Sequence, residues 1–125
     1  MCAMQLPAIE IPDEVLSKLA YVESHGDPNA FHKGTGSFGL YQIRMPYLAD
    51  ANKFMGTDYT LNDMFNPDKA ELVVRAYLGY WGARFEERHG RPPTNEELAR
   101  IHNGGPRGAE RKSTLKYAAL YNAAP

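Results

Sequence analysis

Residues 19–28 read Leu19-Ala20-Tyr21-Val22-Glu23-Ser24-His25-Gly26-Asp27-Pro28, LAYVESHGDP, and set a carboxylate at the end of an apolar helical run. Val15, Leu16, Leu19, Ala20 and Val22 are spaced for a helix with one buried face. Glu23 follows Leu19 by four positions and Leu16 by seven, so it belongs to the stripe that faces the core. Gly26 and Pro28 then stop the helix. Desolvation and the negative end of the helix both disfavour an anion there. Both effects favour the protonated form, which a general acid needs near neutral pH. The alternative is a frayed helix end with Glu23 in water.

Upstream, Pro12-Asp13-Glu14 opens this helix with a proline and two acids, and residues 1–11 read as an N-terminal tail. Downstream, residues 25–37, HGDPNAFHKGTGS, hold three glycines and a proline and read as loop. The next stretch, FGLYQIR at 38–44, fits a short strand or a tight turn. Pro46 can start a helix to about Phe54, and Thr60 can cap a short turn over Leu61 to Met64. Asn66-Pro67-Asp68 is a stronger start. The helix it opens, to about His89, carries Leu72, Val73, Ala76, Tyr77, Tyr80 and Trp81 at helical spacing and is expected at the centre. Thr94 and Glu97 form a capping box for a helix that ends at His102-Asn103. Thr114 can cap a last helix to about Asn122. With no repeat or linker, residues 12–125 form one mainly α domain with at most a small hairpin.

Composition removes several function classes. A net charge of -1 gives no bulk attraction to nucleic acid or anionic membranes. The charge is uneven: residues 1–83 hold six Lys/Arg and ten Asp/Glu, residues 84–125 eight and five. A mildly basic last third suits an anionic polymer, and solvated helix charge explains it equally well. One cysteine, Cys2, excludes an intramolecular disulfide, so the fold rests on packing. No apolar run has the length of a membrane span, and the start, MCAMQLPAIEIP, lacks the basic flank and apolar core of a signal peptide. The four histidines show no ligand spacing, so no metal or other cofactor is implied. Ser24 and Ser37 lack the Gly-x-Ser-x-Gly context of a serine hydrolase. The helix pair around TNEELARIHNGGPRGAERK imitates a helix-turn-helix, but the charge argues against DNA.

Two further stretches fit glycan chemistry. GSFGLYQI at 36–43 has glycines that allow close backbone approach, and IHNGGP at 101–106 ends a helix on His and Asn. In this order the three segments resemble the lysozyme superfamily. AYVESHGDPNAF followed by GSFGLYQI is similar to the catalytic segment of SLT-type lytic transglycosylase domains. YQIRMPYLADA, ARIHNGGPRGA and KSTLKY are similar to invertebrate-type lysozymes, and the likeness spans roughly residues 13–121.

That resemblance implies a lysozyme-like α fold with two lobes flanking a glycan cleft. It implies a muramidase that cuts the β-1,4 bond between N-acetylmuramic acid and N-acetylglucosamine. Glu23 would be the catalytic acid, and Tyr41 and Gln42 would line the cleft beside the scissile sugar. His102 and Asn103 would lie opposite, and Tyr117 would close the site. The implied partners are peptidoglycan strands and an immunity or inhibitor protein, with the chain itself a monomer. Synthesis in the cytoplasm and delivery to the wall by export, lysis or a virion would follow.

Two departures bear on mechanism. Invertebrate-type lysozymes are rich in disulfides and carry an Asp shortly before the Gly-Ser stretch, where this chain reads Phe31-His32-Lys33-Gly34. Without that acid, the pattern favours a transglycosylase, in which one Glu acts as acid and then base. Asp27 is near in sequence, but Asp-Pro-Asn after a helix reads as a turn. The rival reading is a catalytically silent glycan-binding or structural module of a phage or secretion apparatus.

Overall fold

The computed structural model describes residues 8–125. Helix α1, Asp13–Ser24, buries Val15, Leu16, Leu19 and Ala20, and Pro12 lies just outside it as the capping residue. Its end does not fray. His25 adopts a left-handed conformation (φ 54°), and its N–H meets Tyr21 O at 2.9 Å while Gly26 N–H meets Ala20 O at 3.2 Å. Those two bonds satisfy carbonyls that a helix end otherwise leaves open. Ser24 Oγ then donates to Leu40 O at 2.8 Å, fastening the helix end to the segment that follows.

That segment is a small lobe. Strands β1 (Phe31–His32) and β2 (Ser37–Phe38) pair antiparallel, with Phe31 opposite Phe38 and His32 opposite Ser37. Part of the expected 25–37 loop is therefore a hairpin, because its glycine-rich tip lets two short strands meet. Residues 39–42 form the tight turn, closed by Phe38 N–H to Ile43 O at 3.0 Å and Ile43 N–H to Phe38 O at 2.9 Å. Gly39 has φ 83°, and a Cβ there would stand 2.0 Å from Met64 O. Only glycine lets this turn press on the 3₁₀ segment Leu61–Phe65.

The helical lobe holds α2 (Met45–Met55), α3 (Pro67–His89), α4 (Asn95–Gly104) and α5 (Leu115–Ala123). Asn66 caps α3 by accepting from Asp68 N and Lys69 N. The buried stripe of α3 is Ala70, Val73, Val74, Tyr77, Leu78 and Phe85. Leu72 is 50% exposed and Tyr80 half-buried, which corrects their expected place in the core. At 100° per residue Leu72 falls on the side away from Val74 and Leu78. Tyr80 instead stacks on Phe54, with ring centroids 3.9 Å apart. Short α4 packs against α1, α3 and α5, so its last turn lies where three helices meet.

Thr114 does not cap α5 with its side chain. Its hydroxyl is buried, 2.7 Å from Gly108 O, and accepts from Arg100 Nε at 2.8 Å. It ties the 105–113 segment to α4. The described part of the expected tail also packs: Ile9 N–H donates to Gly79 O at 3.1 Å and Ile11 is buried. Cys2 lies outside the described residues. No described helix is long and apolar enough to cross a membrane.

Candidate active site

A cavity of about 500 Å³ opens between the small lobe and the helical lobe. His32, Thr35 and Ser37 line it from the hairpin, and Asn103 to Gly105 line it from the end of α4. Tyr77, Ser37 and His102 are its buried lining residues, and Glu23 is its only lining carboxylate among the described residues.

The Glu23 side chain is 19% exposed. Its Oε2 accepts the Tyr117 hydroxyl proton at 2.6 Å and lies 3.5 Å from His102 Nε2. Burial, and then the charge of Glu23, holds the Tyr117 proton on far above the usual phenol range. Tyr117 is therefore a constant donor to Oε2. No hydrogen bond among the described residues engages Oε1.

His102 is also buried. Its Nδ1 is 2.8 Å from the Tyr47 hydroxyl, and its Nε2 is 3.1 Å from Tyr41 O. Tyr47 stacks on Tyr77, with centroids 3.6 Å apart and planes 13° from parallel. Four elements thus converge on Glu23: its own helix, α2 through Tyr47, α4 through His102, and α5 through Tyr117.

The structure brings most of the sequence-predicted residues to this place, in differing ways. Asn103 is exposed and lines the cavity with no side-chain hydrogen bond among the described residues. Gln42 lines it too, but its Nε2 is engaged by Gly39 O at 3.0 Å and Ala30 O at 3.3 Å. That grip holds the turn, with Gln42 itself at φ 54°, and leaves the amide oxygen for a ligand. Tyr41 reaches the site only through its carbonyl. Its ring is not among the cavity-lining groups expected of it; it faces a second hollow beside Glu71 and Arg75, where burial and Glu71 push the hydroxyl up to about 12. The tight turn, with Gln42 in the left-handed region, sends the Gln42 side chain to the cleft and the Tyr41 ring to the other hollow. Asp27 accepts from Asn29 N at 2.9 Å and holds a turn outside the cavity.

Sequence reading missed Tyr47, Arg44 and the hairpin triad. Thr35 Oγ1 is 3.1 Å from His32 Nδ1 and 2.6 Å from Ser37 Oγ. Tyr47 stood inside the YQIRMPYLADA stretch, but nothing in one sequence marks it as a partner of a histidine 55 residues on.

The Transglycosylase SLT domain family model matches residues 3–123. The chain belongs to that family. A lysozyme of Magallana gigas is 35% identical over 115 residues, covering 86% of this chain and 75% of that protein. An invertebrate-type lysozyme of Ruditapes philippinarum is 37% identical over 95 residues, covering 74% of this chain and 63% of its own length. Among solved structures, Tapes japonica lysozyme superposes with a TM-score of 0.73 at 27% identity, over 91% of this chain and 90% of that one. A Meretrix lusoria lysozyme, in complex with Aeromonas hydrophila PliI, gives 0.71 at 29% identity, over 90% of each chain. This SLT domain is a lysozyme-class, glycan-cleaving enzyme with the lysozyme-like fold. The silent-module reading is set aside with that membership.

Proposed function

We propose that the domain is a peptidoglycan muramidase in which Glu23 is the sole general acid and base, acting as a lytic transglycosylase. The observation that carries this reading is that, among the described residues, a single carboxylate lines the cavity, with one oxygen held by Tyr117 and the other unengaged. Oε1–H protonates the glycosidic oxygen as the bond from muramic C1 to that oxygen breaks. The resulting carboxylate then takes the proton of the muramic 6-hydroxyl while O6 bonds to C1, closing a 1,6-anhydro ring. A covalent glycosyl-enzyme would need a second carboxylate ~5–5.5 Å from the first. Among the described residues, none lines the cleft.

The names of the mollusc relatives favour the hydrolytic alternative, in which water replaces the 6-hydroxyl. Both routes begin at Glu23. Replacement Glu23→Gln keeps the shape and removes the transferable proton, so turnover on purified cell walls should fall ~100-fold or more. A variant keeping a tenth of the wild-type rate overturns the assignment. Mass spectrometry of the released fragments separates the routes, since anhydro ends are one water lighter. Uniformly reducing ends would replace the transglycosylase reading with hydrolysis.

The cell wall, outside the cytoplasm, is then the place of action. A protein inhibitor of the kind bound to the Meretrix lusoria lysozyme is the protein partner that this reading gives the chain.

A further inference from the structure

His102 is enclosed by groups whose hydrogen-bonding roles can be assigned one at a time. Nε2 faces Tyr41 O at 3.1 Å and Glu23 Oε2 at 3.5 Å. A carbonyl oxygen only accepts, so Nε2 carries a proton. Nδ1 faces the Tyr47 hydroxyl at 2.8 Å, and that hydroxyl has no other hydrogen-bond partner among the described residues. A neutral ring accepting the Tyr47 proton at Nδ1 satisfies both residues. A doubly protonated ring would leave the Tyr47 proton without an acceptor. Burial, with Tyr77, Tyr117, Glu23 and Tyr41 nearby, also holds the Tyr47 proton on.

We infer that Tyr47 and His102 form a positioning pair for Glu23. The Tyr47 hydroxyl fixes His102 as its Nε2–H tautomer, and that N–H, hydrogen-bonded to Tyr41 O, sets the positive edge of the ring 3.5 Å from Oε2, beside the Tyr117 hydroxyl that donates to it. The transferable proton of Glu23 is thereby confined to Oε1. The inference rests on Glu23 being the general acid. It assigns His102 a different role from the substrate contact implied by resemblance, because its side chain is only 3% exposed and its bonds run to protein groups. The titratable groups facing the pair come from every helix packed around it: Glu23 from α1, Tyr77 from α3 and Tyr117 from α5. At 3.5 Å the Nε2 to Oε2 contact is electrostatic, and the Nε2 hydrogen bond itself runs to Tyr41 O.

The test compares kcat, KM and melting temperature on soluble peptidoglycan fragments for wild type, Tyr47→Phe, His102→Gln, His102→Ala and Glu23→Gln. Phenylalanine keeps the stack on Tyr77 and removes the bond that fixes the tautomer. A glutamine amide can place an N–H where Nε2 stood and cannot shuttle a proton. The expected result is a kcat about 5- to 10-fold lower for Tyr47→Phe, His102→Gln within about threefold of wild type, and His102→Ala lower by about 30-fold, with KM unchanged throughout. Wild-type kcat in Tyr47→Phe overturns the pair, even if its melting temperature drops. His102→Gln as poor as His102→Ala would mean that the imidazole itself moves protons. A change confined to KM would return His102 to substrate binding. Should His102→Ala not fold, Tyr47→Phe and His102→Gln decide alone. Activity in Glu23→Gln would instead break the acid assignment, and only that outcome does so.

Discussion

The two walls of the cleft are built on opposite principles. On the Glu23 side, Glu23 Oε2 is held by Tyr117 of α5, and the two ring nitrogens of buried His102 are held by Tyr47 of α2 and the Tyr41 carbonyl. On the hairpin side, His32 and Thr35 are exposed with only Ser37 buried, and the polar groups form a local chain spanning six residues from His32 to Ser37. The first wall carries the only lining carboxylate among the described residues, and the second offers hydroxyls and an imidazole. A rigid, dry wall suits a group whose proton must sit on one chosen atom. A solvated wall of hydroxyls suits reversible contact with sugar hydroxyls. The chemistry is therefore concentrated on one side, and the substrate must supply what the other lacks.

Removing one support of the rigid wall should have the larger effect. Tyr117→Phe keeps the ring and strips the 2.6 Å bond from Oε2. Hydrogen bonds to charged groups are worth ~1.5–3 kcal/mol, so kcat should fall at least about tenfold. Steady-state kinetics on cell-wall fragments measure it. Wild-type kcat would mean that the wall does not set the state of Glu23, and the contrast between the two walls would lose its meaning.

The hairpin should answer more weakly and in a different parameter. Thr35→Val preserves shape while cutting the links to His32 and Ser37. Contacts of this kind contribute ~0.5–1.5 kcal/mol, so KM should rise about two- to tenfold with kcat little changed. If kcat falls instead, the hairpin takes part in the chemical step and the walls are less unlike than their burial suggests.

These walls were not equally legible in the sequence. Glu23 announced itself through helical spacing, which is local, and the α1 terminus obeys that spacing. The capping box at Thr94 and Glu97 and the cap at Asn66 were readable for the same reason. The partners of Glu23 were hidden because they arrive from 79 and 94 residues away, and no periodicity encodes such a meeting. The resemblance named His102 and Tyr117 without saying that one is enclosed by protein and the other donates to the acid. Tyr41 was misplaced because adjacent residues of a turn point to opposite sides. Leu72 and Tyr80 were misplaced because α3 turns only one stripe toward its neighbours, and hydrophobicity alone did not say which.

The smallest effect is expected away from both walls, and it fixes how acid can be used on the cleft. Glu97, in the first turn of α4, takes a bidentate bond from Arg91 at 2.8 and 2.9 Å and one from Thr94 N at 2.9 Å. The Arg91 bond, then the Thr94 N–H, lowers its carboxyl from 4.5 to about 2. The folded-state value is the lower one, so the stabilisation is complete above about 4.5 and is lost as pH falls toward about 2. Arg91 is half exposed, and solvent screens the pair, so Glu97→Gln should cost about 1 kcal/mol at pH 7. Thermal unfolding followed by circular dichroism should show a melting point lower by about 3–5 °C at pH 7. The two proteins should converge near pH 2. A gap that persists there would show that the charge of Glu97 is not the cause. Activity can then be titrated in both proteins below their melting points. Coincident acid limbs would put the titrating group in the cleft, on the wall that holds Glu23. An acid limb displaced in Glu97→Gln would trace the loss to the start of α4 instead.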